Sequence, residues 1–349
     1  MMKKRAFVQR ECGQVFFLAA AFLAIFGGMT AIAVDLGSYM ADRRDLQNAA
    51  DAIALAASQE LPDVSDAQTA ANTWAANNAI DLASMAVTFT AQSLPDEPNP
   101  KVIVDLQREH GFAFARLMGI ESASVTASAT AIRTSPGGSP GLMPWGVQAA
   151  FKDLAAPGDE IVLKYDASGG QNGDFGALRI DGNGASTYED SVKYGSQEGL
   201  CTVGATDCPD TDQVQTEPEP GNMTGPTKQA VDYRITNTES GCDTWDEVVA
   251  TAADGTHGLT SECNPFGPGG NSASLRIVIV PIVETQCNDP CSVTVVEFAL
   301  LFLEGYGSGG CTGNNCEIRG RFINSNTNYG AFMGTFDADT FAHFVRLVN

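Results

Sequence analysis

The stretch that decides the fold begins at Val15 and ends at Pro62, and it reads VFFLAAAFLAIFGGMTAIAV followed by DLGSYMADRRDLQNAADAIALAASQELP. Its first part, Val15–Val34, contains twenty residues and no charge. An α-helix rises about 1.5 Å per residue, so this part extends about 30 Å, the thickness of a bilayer core. The backbone amides of such a helix are hydrogen-bonded within it, as lipid requires. The sequence therefore predicts one transmembrane helix over 15–34.

The helical pattern continues beyond this span. Residues 35–60 are rich in Ala, Leu, Gln and Arg, which favour helix. Apolar residues at spacings of three, four or seven form one stripe, made by Leu36, Tyr39, Leu46, Ala50, Ile53 and Ala57. Pro62 ends the pattern, because proline cannot continue a helix. We predict one continuous helix over about residues 15–60, which serves either as a plain stalk or as a pilin-like spine that packs against sister helices.

The alternative interpretation of the apolar segment is a cleaved signal peptide. The apolar region of a signal peptide usually has only about 7–15 residues and precedes a small-residue cleavage site. Here Asp35-Leu36-Gly37 leads directly into further helical sequence. Basic residues precede the span at Lys3, Lys4, Arg5 and Arg10, as they do on the cytoplasmic side of membrane helices. We therefore expect an uncleaved, single-pass anchor in a bacterial inner membrane, with residues 1–14 as a cytoplasmic stub and the bulk of the chain in the periplasm or outside the cell.

The charge distribution agrees with export. The whole chain has 20 basic and 42 acidic side chains, a net charge of −22. Residues 15–349 alone carry 16 basic and 41 acidic side chains, a net charge of about −25. Such a surface favours solubility, and it argues against binding to nucleic acid or to anionic lipid headgroups because like charges repel. No nucleic-acid partner is expected.

The N-terminal block resembles a known family. Cys12-Gly13-Gln14 precedes the apolar span, Val34-Asp35-Leu36-Gly37 ends it, and LQNAADAIALA follows at 46–56. This order and spacing resemble the N-terminal region of TadG-like proteins of Tad/Flp-type pilus-assembly systems, with departures at Cys12, where a basic residue is common, and at Ile53, where Ala is common. The resemblance implies a structural, membrane-anchored component that builds or anchors a thin surface fibre, either a minor pilin-like subunit or an anchoring or assembly factor. The implied partners are the inner membrane and other pilus-assembly or pilin-like subunits.

Residues 35–133 are predicted to form the first exported domain. Ser65 is a candidate N-cap for a second helix that ends near Ile80. Alternating patterns predict three strands, over Ala86–Ala91, Val102–Leu106 and Ser124–Arg133, with a short helix over Gly111–Met118. A long helix on a small antiparallel sheet is the pilin-like arrangement. We interpret His110 as a surface or capping residue, because no Cys, Asp or His lies at ligand spacing from it.

A second domain is predicted beyond a linker. Residues 134–141, TSPGGSPG, have the composition of a linker, and 142–349 is predicted to be β-rich. The expected strands are Glu160–Asp166, Ala177–Asp181, Ser274–Glu284, Ser292–Glu304 and Ile318–Asn324, with short helices at Tyr188–Tyr194 and Thr227–Tyr233. RIVIVPIVE and VTVVEFALLFLE are apolar on both faces, which predicts central strands; both are too short to cross a membrane, and Glu297 interrupts the second. The whole chain is thus predicted to be α+β, a membrane helix continuing into a pilin-like domain and then a β-rich, disulfide-bonded domain.

The nine cysteines divide by compartment. Cys12 lies in the stub, where thiols stay reduced, and the other eight lie between residues 201 and 316. Proximity suggests four disulfides among the 105 connectivities that eight cysteines allow: Cys201–Cys208, Cys242–Cys263, Cys287–Cys291 and Cys311–Cys316. The alternative is a four-thiolate zinc site made by the last two pairs.

Signals of catalysis are sparse. There are three histidines, and no nucleophile elbow, H-E-x-x-H or P-loop motif. We therefore predict no catalytic, cofactor or metal site and a protein that is not an enzyme. The alternative is a membrane-tethered extracytoplasmic enzyme or ligand-binding sensor, which predicts a deep polar pocket in residues 141–349 containing His257 or His343.

One segment resembles a metal site without matching it. Some TadG-like proteins carry a von Willebrand A-type domain, in which a strand precedes Asp-x-Ser-x-Ser. Here Asp166-Ala167-Ser168-Gly169-Gly170 has Gly in place of the second Ser, and Asp174, Asp181 and Asn183 follow among glycines. Carboxylate oxygens of this kind can bind Ca²⁺. We interpret the segment as Gly/Asp turns, because tight turns require the same residues.

Small residues in the span predict helix association. Gly27 and Gly28 allow close approach between helices in lipid, together with nearby alanines at 19, 20, 21 and 24. We therefore assign Gly27 and Gly28 to membrane helix packing.

Overall fold

The computed structural model describes residues 14–91, 99–152, 155–166, 176–203, 205, 208, 214–251, 257–266, 274–286, 292–323, 332–334, 336 and 343–348. The fold is mixed α+β, as predicted. The α-helices are α1 Gln14–Gln59, α2 Val64–Asn77, α3 Ala149–Lys152, α4 Ala185–Tyr194, α5 Thr224–Asn237 and α6 Trp245–Val248. The strands are β1 Met85–Thr90, β2 Lys101–Gly111, β3 Ser122–Thr134, β4 Pro136–Ser139, β5 Val147–Gln148, β6 Glu160–Lys164, β7 Leu200–Cys201, β8 Gln215–Thr216, β9 Val249–Thr251, β10 His257–Leu259, β11 Ile277–Gln286, β12 Ser292–Thr312, β13 Asn315–Ile323, β14 Phe332–Met333 and β15 Phe344–Val348. Two 3₁₀ helices span Leu82–Ser84 and Ala115–Met118.

Helix α1 is one unbroken element with two different halves. The described side chains of 15–34 are exposed apart from Ala31, which is half-buried. In the described part of the chain, α1 is the one helix long and apolar enough to cross a membrane, and it is a candidate membrane anchor. Beyond Asp35 the same helix buries Leu46, Ala50, Ile53 and Ala57 of the predicted stripe, whereas Tyr39 is half-buried and Leu36 is 50% exposed.

The second half of α1 packs on α2 and on an antiparallel sheet. The sheet order is β1-β2-β3-β15. One core joins helices and sheet, and its buried members include Leu46, Ile53, Leu61, Val102, Val104, Leu106 and Val125, with alanines from α1, α2 and β3. The many alanines let the backbones approach closely, so a small core is filled without large side chains. Asp63, not Ser65, caps α2, since its carboxylate accepts the N–H groups of Ser65 and Asp66.

Strand β15 connects the end of the described chain to this first sheet. It pairs antiparallel with β3, with Phe344 opposite Thr134 and Val348 opposite Thr130. The sequence predicts a place for residues 344–348 in the second domain, since pairing between segments about two hundred residues apart leaves no local pattern.

The segment predicted as a linker also differs from the expectation. It contains β4, which pairs with β14 and β7, and Pro136–Ser139 is buried throughout. Glycine makes this possible: a Cβ on Gly334 would lie 3.0 Å from the Ser135 carbonyl oxygen and 3.2 Å from the Gly137 Cα. Two backbones therefore meet where the Gly/Pro composition suggested an exposed connection.

A six-stranded sheet forms the centre of the region beyond residue 141. Its order is β5-β11-β12-β13-β6, and β8 pairs with the start of β12. Strand β12 is apolar on both faces because each face covers a different core. Phe298, Leu300 and Phe302 belong to one core, and Ala299, Leu301 and Leu303 belong to the other. The second core is covered by α4 and α5, which contribute residues such as Tyr188 and Val231.

Glu297, the charge in this apolar strand, has a partner. Its carboxylate lies 3.1 Å from the Lys152 Nζ, and both residues are buried. The register of β11 and β12 shifts at this point, since Ile282 pairs with Glu297 and the next residue, Val283, pairs with Val295. A β-bulge of this kind redirects a side chain.

Candidate functional site

Asp35 ties the exit of the apolar segment to a distant hairpin. It is the first residue after 15–34, and it is 6% exposed. Its carboxylate accepts backbone N–H groups from Ala113 at 2.9 Å, Phe114 at 3.0 Å and Ala115 at 2.6 Å. These groups lie where the β2–β3 hairpin turns into the 3₁₀ helix Ala115–Met118. The helix and the hairpin tip are therefore held together at the level of Asp35.

The same hydrogen bonds keep Asp35 ionised. Burial disfavours the charged carboxylate, but the three backbone N–H groups outweigh that cost and hold the pKa of Asp35 below its usual value. The positive field of His110 contributes in the same direction. A neutral carboxyl would accept these N–H groups less well, so the tie depends on the charge.

About two turns further along α1, Asp42 makes a second connection to the hairpin. Its two oxygens lie 2.9 Å from the Arg108 Nη1 and 3.2 Å from the His110 Nδ1. The other ring nitrogen of His110 lies 3.2 Å from the Ser38 Oγ. The sequence interpretation of His110 as a surface or capping residue is thus corrected: it lies within β2 and bridges two residues of α1. No local sequence pattern predicts the contact between His110 and Asp42, because Asp42 is 68 positions earlier in the chain.

Aromatic rings fill the space between these two connections. Tyr39 packs on His110 and on Phe112 with ring centroids 5.7 and 6.3 Å apart. His110 and Phe112 contact edge to face at 5.4 Å. Such pairs add stabilisation beyond their buried area. From Asp35 to Asp42 the helix and the hairpin form one joined unit, which we call the collar and which comprises Asp35, Ser38, Tyr39, Asp42, Arg108, His110 and Phe112–Ala115.

The hairpin tip, residues 113–120, exposes apolar side chains. Leu117 is 82% exposed and Met118 is 86% exposed, and Phe114 and Ile120 are also exposed. Gly119 turns the chain here with a φ of 87°, a conformation that glycine adopts without strain.

The structure brings three of the four suggested cysteine pairs to disulfide distance. These are Cys201–Cys208, Cys242–Cys263 and Cys311–Cys316, and Cys287 and Cys291 lie outside the described residues. Cys311 and Cys316 face each other across β12 and β13, an arrangement that uses two thiols of the alternative zinc site. The oxidation state stays a prediction, which peptide mapping of the unreduced protein tests: linked peptides support it and free thiols contradict it.

The residues considered for Ca²⁺ do not come together as a site in the described chain. Residues 167–175, which include Ser168 and Asp174, lie outside the described residues, whereas Asp166, Asp181 and Asn183 lie within them. The Asp181 carboxylate accepts the Ser191 hydroxyl at 2.6 Å and the N–H groups of Gln197 and Glu198. Among the described residues, no group of three or more His, Cys, Asp or Glu has the arrangement of a metal site.

The two histidines of the second region lie in different surroundings. His257 accepts or donates a hydrogen bond with Thr251 at 3.0 Å and packs on Trp245. His343 is buried beside the Phe336 ring. A polar cleft of about 410 Å³ is lined by Arg179, Asp181, Glu198 and Glu217 among others, and neither histidine lines it.

Several buried polar groups hold the second region together. The Lys164 ammonium donates to the Asn222 Oδ1 at 2.9 Å and to the Cys316 carbonyl at 3.2 Å, and burial lowers the pKa of Lys164 to about 8. Trp145 donates to the Tyr188 hydroxyl, which lies 3.0 Å from the Thr227 hydroxyl. Burial raises the pKa of Tyr188 to about 12. These groups are satisfied within the fold, so they have the character of structural contacts.

Part of the chain matches a family of known proteins. Residues 13–88 match the family model of Flp pilus-assembly TadE/G-like proteins, Tad. This stretch contains α1, α2 and the start of β1, and the match confirms the resemblance drawn from the Gly-Gln, Val-Asp-Leu-Gly and Leu-Gln-x-Ala-Ala-Asp-Ala elements. It supports a role related to pilus assembly. No curated protein and no solved structure matches the chain.

Proposed function

We propose that the chain is a single-pass, membrane-anchored structural component of a Tad/Flp-type pilus-assembly system, with its N-terminus in the cytoplasm and its bulk outside the inner membrane. One observation carries the proposal: α1 runs without a break from an exposed apolar segment into a half that is packed on a sheet, within the stretch that matches the TadE/G-like family. The packed half is folded by its own core, so the exposed half is left for lipid or for other helices.

The finer role is either that of a minor pilin-like subunit or that of an anchoring or assembly factor. A pilin-like subunit buries its apolar half among sister helices in a fibre, and an anchor keeps it in the bilayer. Both roles use small residues for close helix contacts. Gly27 and Gly28 have open space around the position that a Cβ would take, so a neighbouring helix can approach there.

The proposed role is structural and not enzymatic. Its support is that the polar groups described above are used in holding the fold, as with Lys164, Tyr188 and Asp181. A second candidate is a membrane-tethered ligand sensor or enzyme, favoured by the polar cleft beside Arg179. Incubating the purified chain with small cationic metabolites would reveal this function as a shift in thermal stability that Glu198→Gln abolishes, because carboxylates outnumber the single arginine among the charged residues that line the cleft.

Cell fractionation tests the proposal. Surface fibres are sheared from the native bacterium, and the protein is quantified there and in the inner-membrane fraction. Enrichment in the fibres supports the pilin-like role, and confinement to the membrane supports the anchoring role. Normal fibre production in a strain that lacks the protein would contradict both.

A further inference from the structure

The exposed tip of the β2–β3 hairpin lies beside the membrane segment of α1. Contacts between α1 and the β2–β3 hairpin lie progressively nearer the N-terminus of α1 as the hairpin approaches its tip. Gln47 donates to the Ser128 carbonyl, Asp42 meets Arg108, Ser38 meets His110, and Asp35 accepts from Ala113–Ala115. From Asp42 to Asp35 the helix covers about 10 Å. The remaining residues of the tip, 116–120, follow Ala115 and therefore lie at or beyond the level of Asp35.

The partial burial of Ala31 indicates that the tip extends one turn beyond Asp35, toward the N-terminus of α1. Ala31 lies four residues before Asp35, on the same face of the helix. It is half-buried, whereas the other described side chains of 15–34 are exposed, and the 3₁₀ helix Ala115–Met118 contacts α1. The tip thus reaches alongside the last turn of the apolar segment.

The tip has the chemistry of a lipid-interface anchor. Its outward side chains are Phe114, Leu117, Met118 and Ile120, and a cluster of this kind in water is unusual for a soluble surface. Arg116 is the basic residue of the tip, and it donates from Nε to the Ala113 carbonyl at 3.0 Å. Arginine at such a depth can keep its charge among the headgroups while its stem lies on apolar surface.

We infer that this tip, residues 113–120, inserts into the outer interface of the same bilayer that α1 crosses, and so gives the protein a second membrane contact. The inference rests on the proposed membrane anchoring. It needs no attraction between the acidic chain and anionic lipid, because α1 already holds the tip at the bilayer and the contact is apolar. The collar holds the tip at a fixed position along α1. The two membrane contacts therefore fix the distance and the orientation of the folded region relative to the bilayer.

Tryptophan quenching in full-length protein tests the inference. The chain is reconstituted in phosphatidylcholine nanodiscs without bromine, with bromine near the glycerol end of the acyl chains, or with bromine near their methyl ends, the depth at which residue 26 of a span over 15–34 lies. The variants are Leu117→Trp at the tip, Phe26→Trp in the membrane segment and Val64→Trp as a matched control. Val64 is an exposed apolar residue at the start of α2, beyond the far end of α1. Emission of the three native tryptophans is measured in wild type and subtracted.

We expect Leu117→Trp to lose more than half of its emission in brominated lipid and Val64→Trp to lose almost none. If Phe26→Trp is quenched and Leu117→Trp behaves like Val64→Trp, the tip inference is overturned and the membrane anchor stands. A blue-shifted but unquenched Leu117→Trp also overturns it, since a second copy of the chain and not lipid then covers the tip. An unquenched Phe26→Trp would overturn the membrane anchor and this inference together.

Discussion

The Asp35 carboxylate accepts the backbone N–H of Ala115 at 2.6 Å, although Ala115 lies 80 positions later in the chain. This bond, with those from Ala113 and Phe114, fixes the hairpin tip to the residue at which the apolar segment ends. The Asp35 carboxylate is therefore a structural link between the apolar segment, a candidate membrane anchor, and the folded region.

We predict that Asp35→Ala loosens the hairpin tip. The amides of Ala113–Ala115 lose their acceptor and should exchange hydrogen with solvent faster, while the β2–β3 ladder keeps its protection. Hydrogen–deuterium exchange with mass spectrometry checks this. Asp45→Ala is the control, because Asp45 is an exposed carboxylate on the same helix. Equal exchange at the tip in both variants would refute the link.

The hydrogen bonds that Asp35 accepts should weaken at acid pH. The pKa of Asp35 is lower in the folded protein than in the unfolded chain, so its contribution to stability is fully present above about pH 4 and is lost as the pH falls through the folded pKa. Protection of the tip amides should thus decline below about pH 4 in wild type and should be independent of this titration in Asp35→Ala.

We predict that Gly28→Leu weakens association of the membrane helix. A leucine side chain keeps two backbones apart where glycine allows contact. Fluorescence energy transfer between labelled copies in bilayers measures the association. Ala33→Leu is a matched control: it is also a small-to-large change in the apolar segment, and Ala33 lies five residues from Gly28, about 140° around the helix and outside the small residues assigned to packing. Unchanged transfer in Gly28→Leu would count against the packing role.

The buried pair of Lys152 and Glu297 gives a stability prediction. Lys152→Met leaves a buried carboxylate without its cation and should lower the free energy of unfolding by about 3–5 kcal/mol. Replacing both residues, as Lys152→Met with Glu297→Leu, should recover most of that loss. Lys228→Met is the control, since the ion pair of Lys228 with Asp232 is exposed and typically contributes about 0.5 kcal/mol. Urea unfolding followed by circular dichroism measures all of them, and additive losses in the double variant would contradict the pairing.

Lys164 predicts a rise of stability with pH. Its pKa is about 8 in the folded protein and about 10.5 when unfolded, because burial disfavours the charged ammonium. Between these values the unfolded chain holds more protons, so the free energy of unfolding should increase by about 2 kcal/mol from pH 7 to pH 10. Thermal unfolding at several pH values checks this. Lys164→Met should remove the increase, and a variant with the wild-type slope would show that another group causes it.

The parts of the fold that could be predicted are those with a local signature. Helix α1 follows from the uncharged run and the stripe of Leu46, Ala50 and Ile53, and β11 and β12 follow from runs that are apolar on both faces. The parts that could not be predicted depend on partners far along the chain. Nothing near His110 in the sequence points to Asp42, and the N–H groups that bind Asp35 belong to the backbone and have no residue signature.

The amino-acid composition of a segment did not indicate which other segments of the chain pack against it. The Gly/Pro run after Thr134 predicted an exposed connection, yet the absence of side chains is what lets Gly137 and Gly334 meet closely. The exposure of the apolar tip could not be predicted either, because GFAFARLM predicts a short helix without indicating which of its side chains remain exposed. Its position beside α1 became evident only with the Asp35 contacts.

The pairing of β15 with β3 has a mechanical consequence. The chain leaves the first sheet at Thr134 and returns to it at Phe344, directly opposite. Residues 135–343 are therefore an insertion between two paired strands, connected to the first sheet at two adjacent positions. A force applied to that insertion is shared by two neighbouring strands, and twisting about a single connecting bond is prevented. The insertion could also be exchanged as a cassette: joining residue 134 to residue 344 with a tight turn would close a β-hairpin and leave the membrane-proximal sheet complete.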